Sequence, residues 1–149
     1  MDLEGLLAAD ESGWKELVGL FAQIPAGRFE EPTVTPEGWS PKDVMFHVAA
    51  WMADAGLQLE RMRADTFDPA EETTASIQER NGQLFESSKA MEPSDVRIEF
   101  FSAHQRMCEE LGEMPELTPE AIEWFEESGP LHYAQHIKDL RGWLGDAAS

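Results

Sequence analysis

Residues 38–51 read Gly-Trp-Ser-Pro-Lys-Asp-Val-Met-Phe-His-Val-Ala-Ala-Trp, and this stretch carries the clearest helix start in the chain. The Ser40 hydroxyl is an acceptor for the free amides of a first turn, Pro41 needs no amide partner there, and Asp43 follows the cap by three positions. Apolar residues then continue at helical spacing. The segment therefore predicts a helix over residues 41–64, about seven turns long at 3.6 residues per turn.

The rest of the chain repeats this kind of pattern. Apolar spacings of three, four and seven predict a first helix over residues 3–24, and Pro93-Ser94-Asp95 predicts a helix over 94–112 with Ser94 as cap. Within the last predicted bundle segment, 119–145, Thr118-Pro119-Glu120 starts a brief helix and Ser128-Gly129-Pro130 reopens the final one. Sustained strand alternation is absent from the sequence. The predicted fold is all-α: a four-helix bundle with one or two extra short helices. A short, partly exposed helix is predicted over 75–91, with loops over 25–39 and 65–74.

Length and charge limit the classes of function. A chain of 149 residues suits one domain, here residues 1–149. Its 30 acidic residues against 11 Lys and Arg give a net charge of −19. Such a surface repels phosphate backbones and anionic lipid headgroups, which argues against a nucleic-acid or membrane partner and favours a small-molecule substrate or a cation.

The single cysteine, Cys108, excludes an internal disulfide and a cysteine-based zinc cluster within the chain. Together with an N-terminus that has neither a basic region nor a long apolar run, it predicts a cytoplasmic protein. Cys108 itself is expected to be a buried, inert thiol.

Histidine is the residue type that points to chemistry. Of the four, His132 and His136 stand one helical turn apart, a separation that lets two imidazoles reach one metal ion. His47 lies on the apolar side of its helix, where it can face them in a bundle. Three imidazoles with an open position would suit zinc, nickel, iron or manganese. The competing interpretation is a core histidine at 47 with two exposed, idle histidines, and spacing alone does not separate the two.

Two motifs resemble those of the DinB-like superfamily, which includes the mycothiol-dependent maleylpyruvate isomerase N-terminal domains and the DfsB-like colibactin self-protection proteins. Residues 38–51 are similar to the entrance of the second helix of that superfamily, and His-Tyr-Ala-Gln-His-Ile-Lys-Asp-Leu-Arg-Gly-Trp-Leu at 132–144 resembles its terminal helix. The likeness extends to the Trp14 region, Asn81 and Ala103-His104.

The resemblance implies a four-helix bundle in which His47, His132 and His136 bind a divalent metal, with zinc or nickel favoured. It also implies a low-molecular-weight thiol, mycothiol or bacillithiol, as a further cofactor. Many relatives carry Glu directly after the helix-two tryptophan, whereas this chain has Met52. If that acid carries a proton in relatives, this chain uses another group.

The first hypothesis is therefore a metal-dependent S-transferase or isomerase in which a bound thiolate, or water, attacks a small electrophile. The alternatives are a metal-free DfsB-like protein that binds or hydrolyses a reactive small molecule, and a non-catalytic, stress-associated homodimeric binding module. No catalytic residue is assigned.

Other polar residues receive structural interpretations. His104 and Tyr133 are expected to pack in the bundle, and Trp51 to line an apolar pocket. The glutamates between positions 109 and 127 are expected to form a solvated face.

Overall fold

The computed structural model describes residues 2–69 and 73–148, and these residues form an all-helical bundle without strands. The predicted fold class is confirmed. Residues 70–72 of the predicted connector 65–74 lie outside the described part of the chain. The helices are α1 (Leu3–Ala22), α2 (Pro41–Arg63), α3 (Thr74–Lys89), α4 (Pro93–Gly112), α5 (Pro119–Ser128) and α6 (Pro130–Ala148), with a 3-10 turn at Ala26–Arg28 in the first loop.

Four long helices form the bundle, because α2 packs against α4, α1 packs against α6, and the contacts α1–α4 and α2–α6 close the ring. The two shorter helices, α3 and α5, both pack on α2, and α5 also contacts α6. Helix α2 therefore contacts four other helices, α6 among them, so side chains of α2 can meet residues of α6.

The predicted cap of α2 is present. The Asp43 amide donates to Ser40 Oγ at 3.1 Å, and the Ser40 amide donates to the Asp43 carboxylate at 2.8 Å. This reciprocal pair satisfies two backbone donors at the helix start. Both residues are buried, so the register of α2, and with it the direction of His47 one turn later, is set by a local hydrogen-bond pattern.

One predicted helix break is confirmed and one predicted cap is wrong. As Ser128-Gly129-Pro130 predicts, the segment 119–145 contains two helices, which meet at Gly129, where an added Cβ would lie 2.6 Å from the Phe125 carbonyl oxygen. Only glycine tolerates that approach. The cap of α4 is Glu92 rather than Ser94, because Pro93 already occupies the first helical position.

The core is continuous through the bundle, and its fully buried side chains come from α1, α2, α4, α5 and α6 and from Phe29 in the loop between α1 and α2. In the part of the chain that the structure describes, no helix combines the length and apolar character needed to cross a bilayer.

Candidate metal centre

Three histidine rings from two helices meet inside the bundle. Nε2 of His132 lies 2.9 Å from Nε2 of His47 and 3.0 Å from Nε2 of His136. The three residues together offer ligand atoms that all lie within 4.8 Å of one another. The structure thus brings together all the residues that the sequence analysis assigned to a metal site, and the group could hold a metal ion.

The helices explain how the rings converge. His132 and His136 are one turn apart on α6, so their rings share a face, with centroids 4.6 Å apart. His47 approaches from α2 at centroid distances of 4.7 Å to His132 and 5.0 Å to His136. The Trp39 ring packs on His47 at 4.8 Å. His47 and His136 are buried and His132 is half-buried. The competing interpretation, in which His132 and His136 are exposed, is therefore wrong about their exposure.

Burial keeps the three rings neutral. Desolvation lowers the pKa of His47 to about 2, with His132 and His136 adding to the effect. Desolvation likewise lowers the pKa of His132 to about 3, with His136 as the next contributor. The pKa of His136 is also lowered by burial, against an opposing contribution from Asp139. Neutral imidazole is the form that binds a metal ion.

The donor set fits a divalent metal better than it fits hydrogen bonds alone. Both short contacts end on Nε2 of His132, and in a neutral ring this nitrogen is either one donor or one acceptor. It can therefore complete a hydrogen bond with His47 or with His136, but not with both. A cation between the rings would use all three Nε2 lone pairs at once.

The outer nitrogens of the three rings are buried. Nδ1 of His47, of His132 and of His136 has no hydrogen-bond partner among the described residues. The Asp139 carboxylate, which the sequence analysis did not single out, lies 3.4 Å from Nδ1 of His136. The spacing of Asp139 three residues after His136 was a readable signal, because i and i+3 share a helix face.

The rings are accessible from a cleft of about 750 Å³. His47, His132 and Trp51 contribute to its wall. The sequence analysis expected Trp51 to line an apolar pocket, but acidic and amide side chains share this cleft, so its lining is mixed. The Trp51 ring is held by a 2.9 Å hydrogen bond from its Nε1 to Asn81 Oδ1. Three glutamates of the run that was expected to be a solvated face also line the cleft, and they are exposed: Glu120, Glu123 and Glu127.

His104 lies in a second cluster. Its Nε2 is 2.7 Å from the Asp10 carboxylate, and its ring stacks on Trp14 at 3.7 Å. The Tyr133 hydroxyl donates to the other Asp10 oxygen at 2.8 Å. His104 and Tyr133 are thus packed in the bundle, as predicted, and Asp10 is the buried acid that the sequence analysis missed.

Met52 and Cys108 border this second cluster. Met52 is fully buried with its sulfur 3.4 Å from the Tyr133 hydroxyl, and it does not line the cleft. Burial, followed by the Asp10 charge, raises the pKa of Cys108 well above its usual value. The sequence analysis expected a buried thiol, but Cys108 is half-buried because it stands at the edge of the packed face of α4. The expectation of an unreactive thiol agrees with its raised pKa.

The fold has a solved counterpart. Over 98% of this chain and 94% of the other, it superposes on the crystal structure of an uncharacterised protein from Escherichia coli UTI89 with a TM-score of 0.83 at 10% sequence identity. At that identity the likeness concerns the fold alone. No protein-family model matches the chain, and no curated protein matches it.

Proposed function

We propose that this chain is a divalent-metal-dependent enzyme of the DinB-like kind, with His47, His132 and His136 as the metal ligands. The observation that carries the proposal is the meeting of three neutral Nε2 atoms, at 2.9 and 3.0 Å, on the wall of an open cleft. A site with three protein ligands leaves at least one position for a substrate or cofactor, which is the arrangement of catalytic rather than structural zinc sites.

The residues of the chain would hold and tune the ion. His47 and His132 reach the cleft, while His136 lies behind them with Asp139 at its outer nitrogen. A bound divalent ion supplies Lewis acidity, which lowers the pKa of a thiol or water enough to give a nucleophile at neutral pH. Burial lowers the pKa values of His47 and His132, so both rings stay unprotonated at neutral pH and no proton competes with the ion for their nitrogens.

The reaction class we propose is attack of a thiolate on a small electrophile, giving S-transfer or isomerisation, with water as the alternative nucleophile. The thiol would be a low-molecular-weight cofactor such as mycothiol or bacillithiol. The support for a thiol is the resemblance of residues 38–51 and 132–144 to the DinB-like motifs. The cleft, at about 750 Å³, has the size of a small-molecule site.

The deciding experiment is metal analysis of the purified protein after dialysis against zinc or nickel. We expect about one ion per chain, and a loss of affinity of about tenfold or more in His136→Ala. His104→Ala is the matched control: it removes a half-buried histidine of the second cluster, whose Asp10, His104 and Cys108 could also hold an ion, and leaves the three proposed ligands in place. A loss confined to His136→Ala assigns the ion to the three-histidine site. A parent protein that takes up no stoichiometric ion, or a His136→Ala variant that binds as tightly as the parent, contradicts the proposal.

A second candidate is a metal-free DfsB-like protein that binds or hydrolyses a reactive small molecule in the same cleft. The observation that favours it is that 2.9 and 3.0 Å are also hydrogen-bond distances between imidazoles. Retention of electrophile turnover after chelation of all divalent ions would select this candidate over the first.

A homodimeric module is the third candidate. Its support is limited to three exposed apolar side chains, Ile98 and Phe101 on α4 and Leu131 on α6. A solution mass equal to that of one chain at micromolar concentration would eliminate it.

A further inference from the structure

Three different types of ligand atom meet at the edge of the second cluster. Asp10 of α1 and His104 of α4 are in contact, with 2.7 Å between the carboxylate oxygen Oδ2 and the ring nitrogen Nε2. Sγ of Cys108 lies 3.5 Å from each of these two atoms. His104 and Cys108 are four positions apart on α4, so they share a helix face. A carboxylate, an imidazole and a thiol therefore surround one point between α1 and α4, and together they could hold a metal ion.

The distances between these atoms are close to those of a tetrahedral metal site. Bonds of about 2.0–2.3 Å to a zinc ion place neighbouring ligand atoms about 3.3–3.6 Å apart. The two distances that end on Sγ of Cys108, both 3.5 Å, already have this length. The contact between Asp10 and His104 is a hydrogen bond, and it has to lengthen by only about 0.6 Å to reach the same range.

Neighbouring side chains orient two of the three groups. The Tyr133 hydroxyl donates to Oδ1 of Asp10 at 2.8 Å. This leaves Oδ2 for His104 and Cys108. The Trp14 ring stacks on the His104 imidazole, with ring centroids 3.7 Å apart and planes 2° from parallel. Outer contacts of this kind orient the ligands of metal sites in proteins, so the carboxylate and the imidazole are already held in place.

The Asp10 carboxylate is the group that favours an ion over hydrogen bonds alone. It is only 2% exposed, and among the described residues neither lysine nor arginine forms an ion pair with it. Buried charges in proteins are paired or coordinate a metal. The partners of Asp10 are a hydroxyl, a thiol and an imidazole. A divalent cation between the three ligand atoms would compensate the buried charge directly.

An ion can reach the cluster from solvent. The His104 side chain is 17% exposed and Cys108 is half-buried, although Asp10 lies beneath them. None of the three residues lines the cleft beside the three-histidine site. Because two of the three ligands are partly exposed, water can supply the fourth ligand of a tetrahedral ion.

We propose that Asp10, His104 and Cys108 form a second metal site, which binds a thiophilic divalent cation such as zinc, cobalt or cadmium and ties α1 to α4. A thiolate with an imidazole suits these ions, whereas calcium and magnesium take oxygen ligands. The metal–sulfur bond forms as the Cys108 thiol releases its proton to solvent. Binding also breaks the His104–Asp10 hydrogen bond, so this site fills at higher metal concentrations than the three-histidine site. The inference is independent of the proposed function.

The probe for this site is cobalt(II), added in a buffer free of thiols. A cobalt–thiolate bond gives a charge-transfer band in the near ultraviolet, which cobalt–imidazole bonds lack. Cys108 is the only cysteine in the chain, so the band can arise from no other residue. We expect cobalt titration of the parent protein to produce the band. We also expect His47→Ala, which removes a ligand of the three-histidine site, to retain it.

Variants of similar size identify the ligands. Cys108→Ser should abolish the band. Asp10→Asn and His104→Gln should each weaken the cobalt binding that the band reports by at least about tenfold, because loss of an outer partner alone costs about 10–100-fold in metal affinity. The matched control is His132→Gln, which removes another half-buried histidine, and it should leave this affinity unchanged. Circular dichroism verifies that each variant is folded.

A folded parent protein that shows no charge-transfer band at millimolar cobalt would overturn the inference. A band with the same midpoint in the parent, Asp10→Asn and His104→Gln would also overturn it, because cobalt would then bind the thiol alone. Failure of the proposed function has a different signature: His47→Ala takes up as many ions as the parent, while the thiolate band persists in both.

Discussion

His47 and His132 are 85 positions apart in the chain, and their Nε2 atoms lie 2.9 Å apart in the fold. The two residues belong to α2 and α6, so this relationship exists only when both helices are packed in the bundle. An unfolded chain offers the His132–His136 pair but not the third ring. Binding of an ion by all three rings would therefore be coupled to folding.

The first prediction follows from that coupling. An ion that binds the folded chain at a concentration one hundred times its dissociation constant stabilises it by about 2.7 kcal/mol. For a chain of this size, this corresponds to a rise in melting temperature of about 5–10 °C. Differential scanning calorimetry with added zinc or nickel measures the shift. His47→Ala should abolish it, whereas His104→Ala should lower the baseline stability and keep the shift.

Acid should destabilise the ion-free protein through the same rings. The pKa values of His47 and His132 fall from 6.5 to about 2 and about 3 on folding. Below pH 6.5 the unfolded chain therefore binds more protons than the folded one, and stability falls as pH falls. Between pH 7 and 5 each histidine should remove on the order of 1–2 kcal/mol from the free energy of unfolding.

Urea unfolding at a series of pH values measures this slope. A His47→Gln variant loses one of the titrating groups, so its stability should depend less steeply on pH over this window. An unchanged slope in His47→Gln would mean that the imidazole at position 47 is not held neutral by the fold.

Local sequence features explain why the helices were predictable. Ser40 and Asp43 form a capping box within four residues, and amphipathic spacing is likewise a property of neighbouring positions. The break between α5 and α6 was also readable, because Gly129 and Pro130 are helix breakers in sequence. Only the close approach of Gly129 to the Phe125 carbonyl oxygen required the three-dimensional fold.

The site was only partly predictable from residues alone. The spacing of His132 and His136 indicates a shared face, but the approach of His47 depends on how α2 packs near α6. The place of His47 on the apolar side of its helix made it a candidate, and the resemblance to DinB-like motifs favoured the metal interpretation over a core histidine. The α5 glutamates show a readable one-face spacing, yet nothing local reveals that this face borders a cleft. Asp10 was missed for the same reason, since its partners lie on α4 and α6.

A third prediction concerns that buried acid. Asp10 is 2% exposed and accepts hydrogen bonds from His104 and Tyr133. Tyr133→Phe leaves one Asp10 oxygen without its donor and should cost about 1–3 kcal/mol of stability. Asp10→Ala should cost at least as much, and the double variant should cost less than the sum of the two. Urea unfolding of the parent, the two single variants and the double variant gives the coupling free energy between Asp10 and Tyr133. Strict additivity would show that the 2.8 Å contact contributes nothing.

A fourth prediction compares two helix caps. Ser40→Ala removes the acceptor for the Asp43 amide at the start of α2, and Thr73→Ala removes the equivalent acceptor at the start of α3. Each should cost about 1 kcal/mol. Only Ser40→Ala should also weaken metal binding, because α2 carries His47 and α3 carries no ligand. Titration of both variants with zinc measures the two affinities. Equal affinities would show that the Ser40 cap does not position His47 for metal binding.

The last prediction concerns Cys108, whose Sγ lies 3.5 Å from both the Asp10 carboxylate and Nε2 of His104. Burial and the neighbouring negative charge of Asp10 raise the pKa of the thiol, so at pH 8 almost no thiolate forms in the folded protein. Alkylation by iodoacetamide should therefore be at least about tenfold slower than that of a free cysteine and should recover the normal rate in urea. The Asp10→Asn variant removes the charge and should accelerate the reaction of the folded protein. A Cys108 that reacts at the rate of free cysteine in the native parent would show that the thiol is neither buried nor opposed by Asp10.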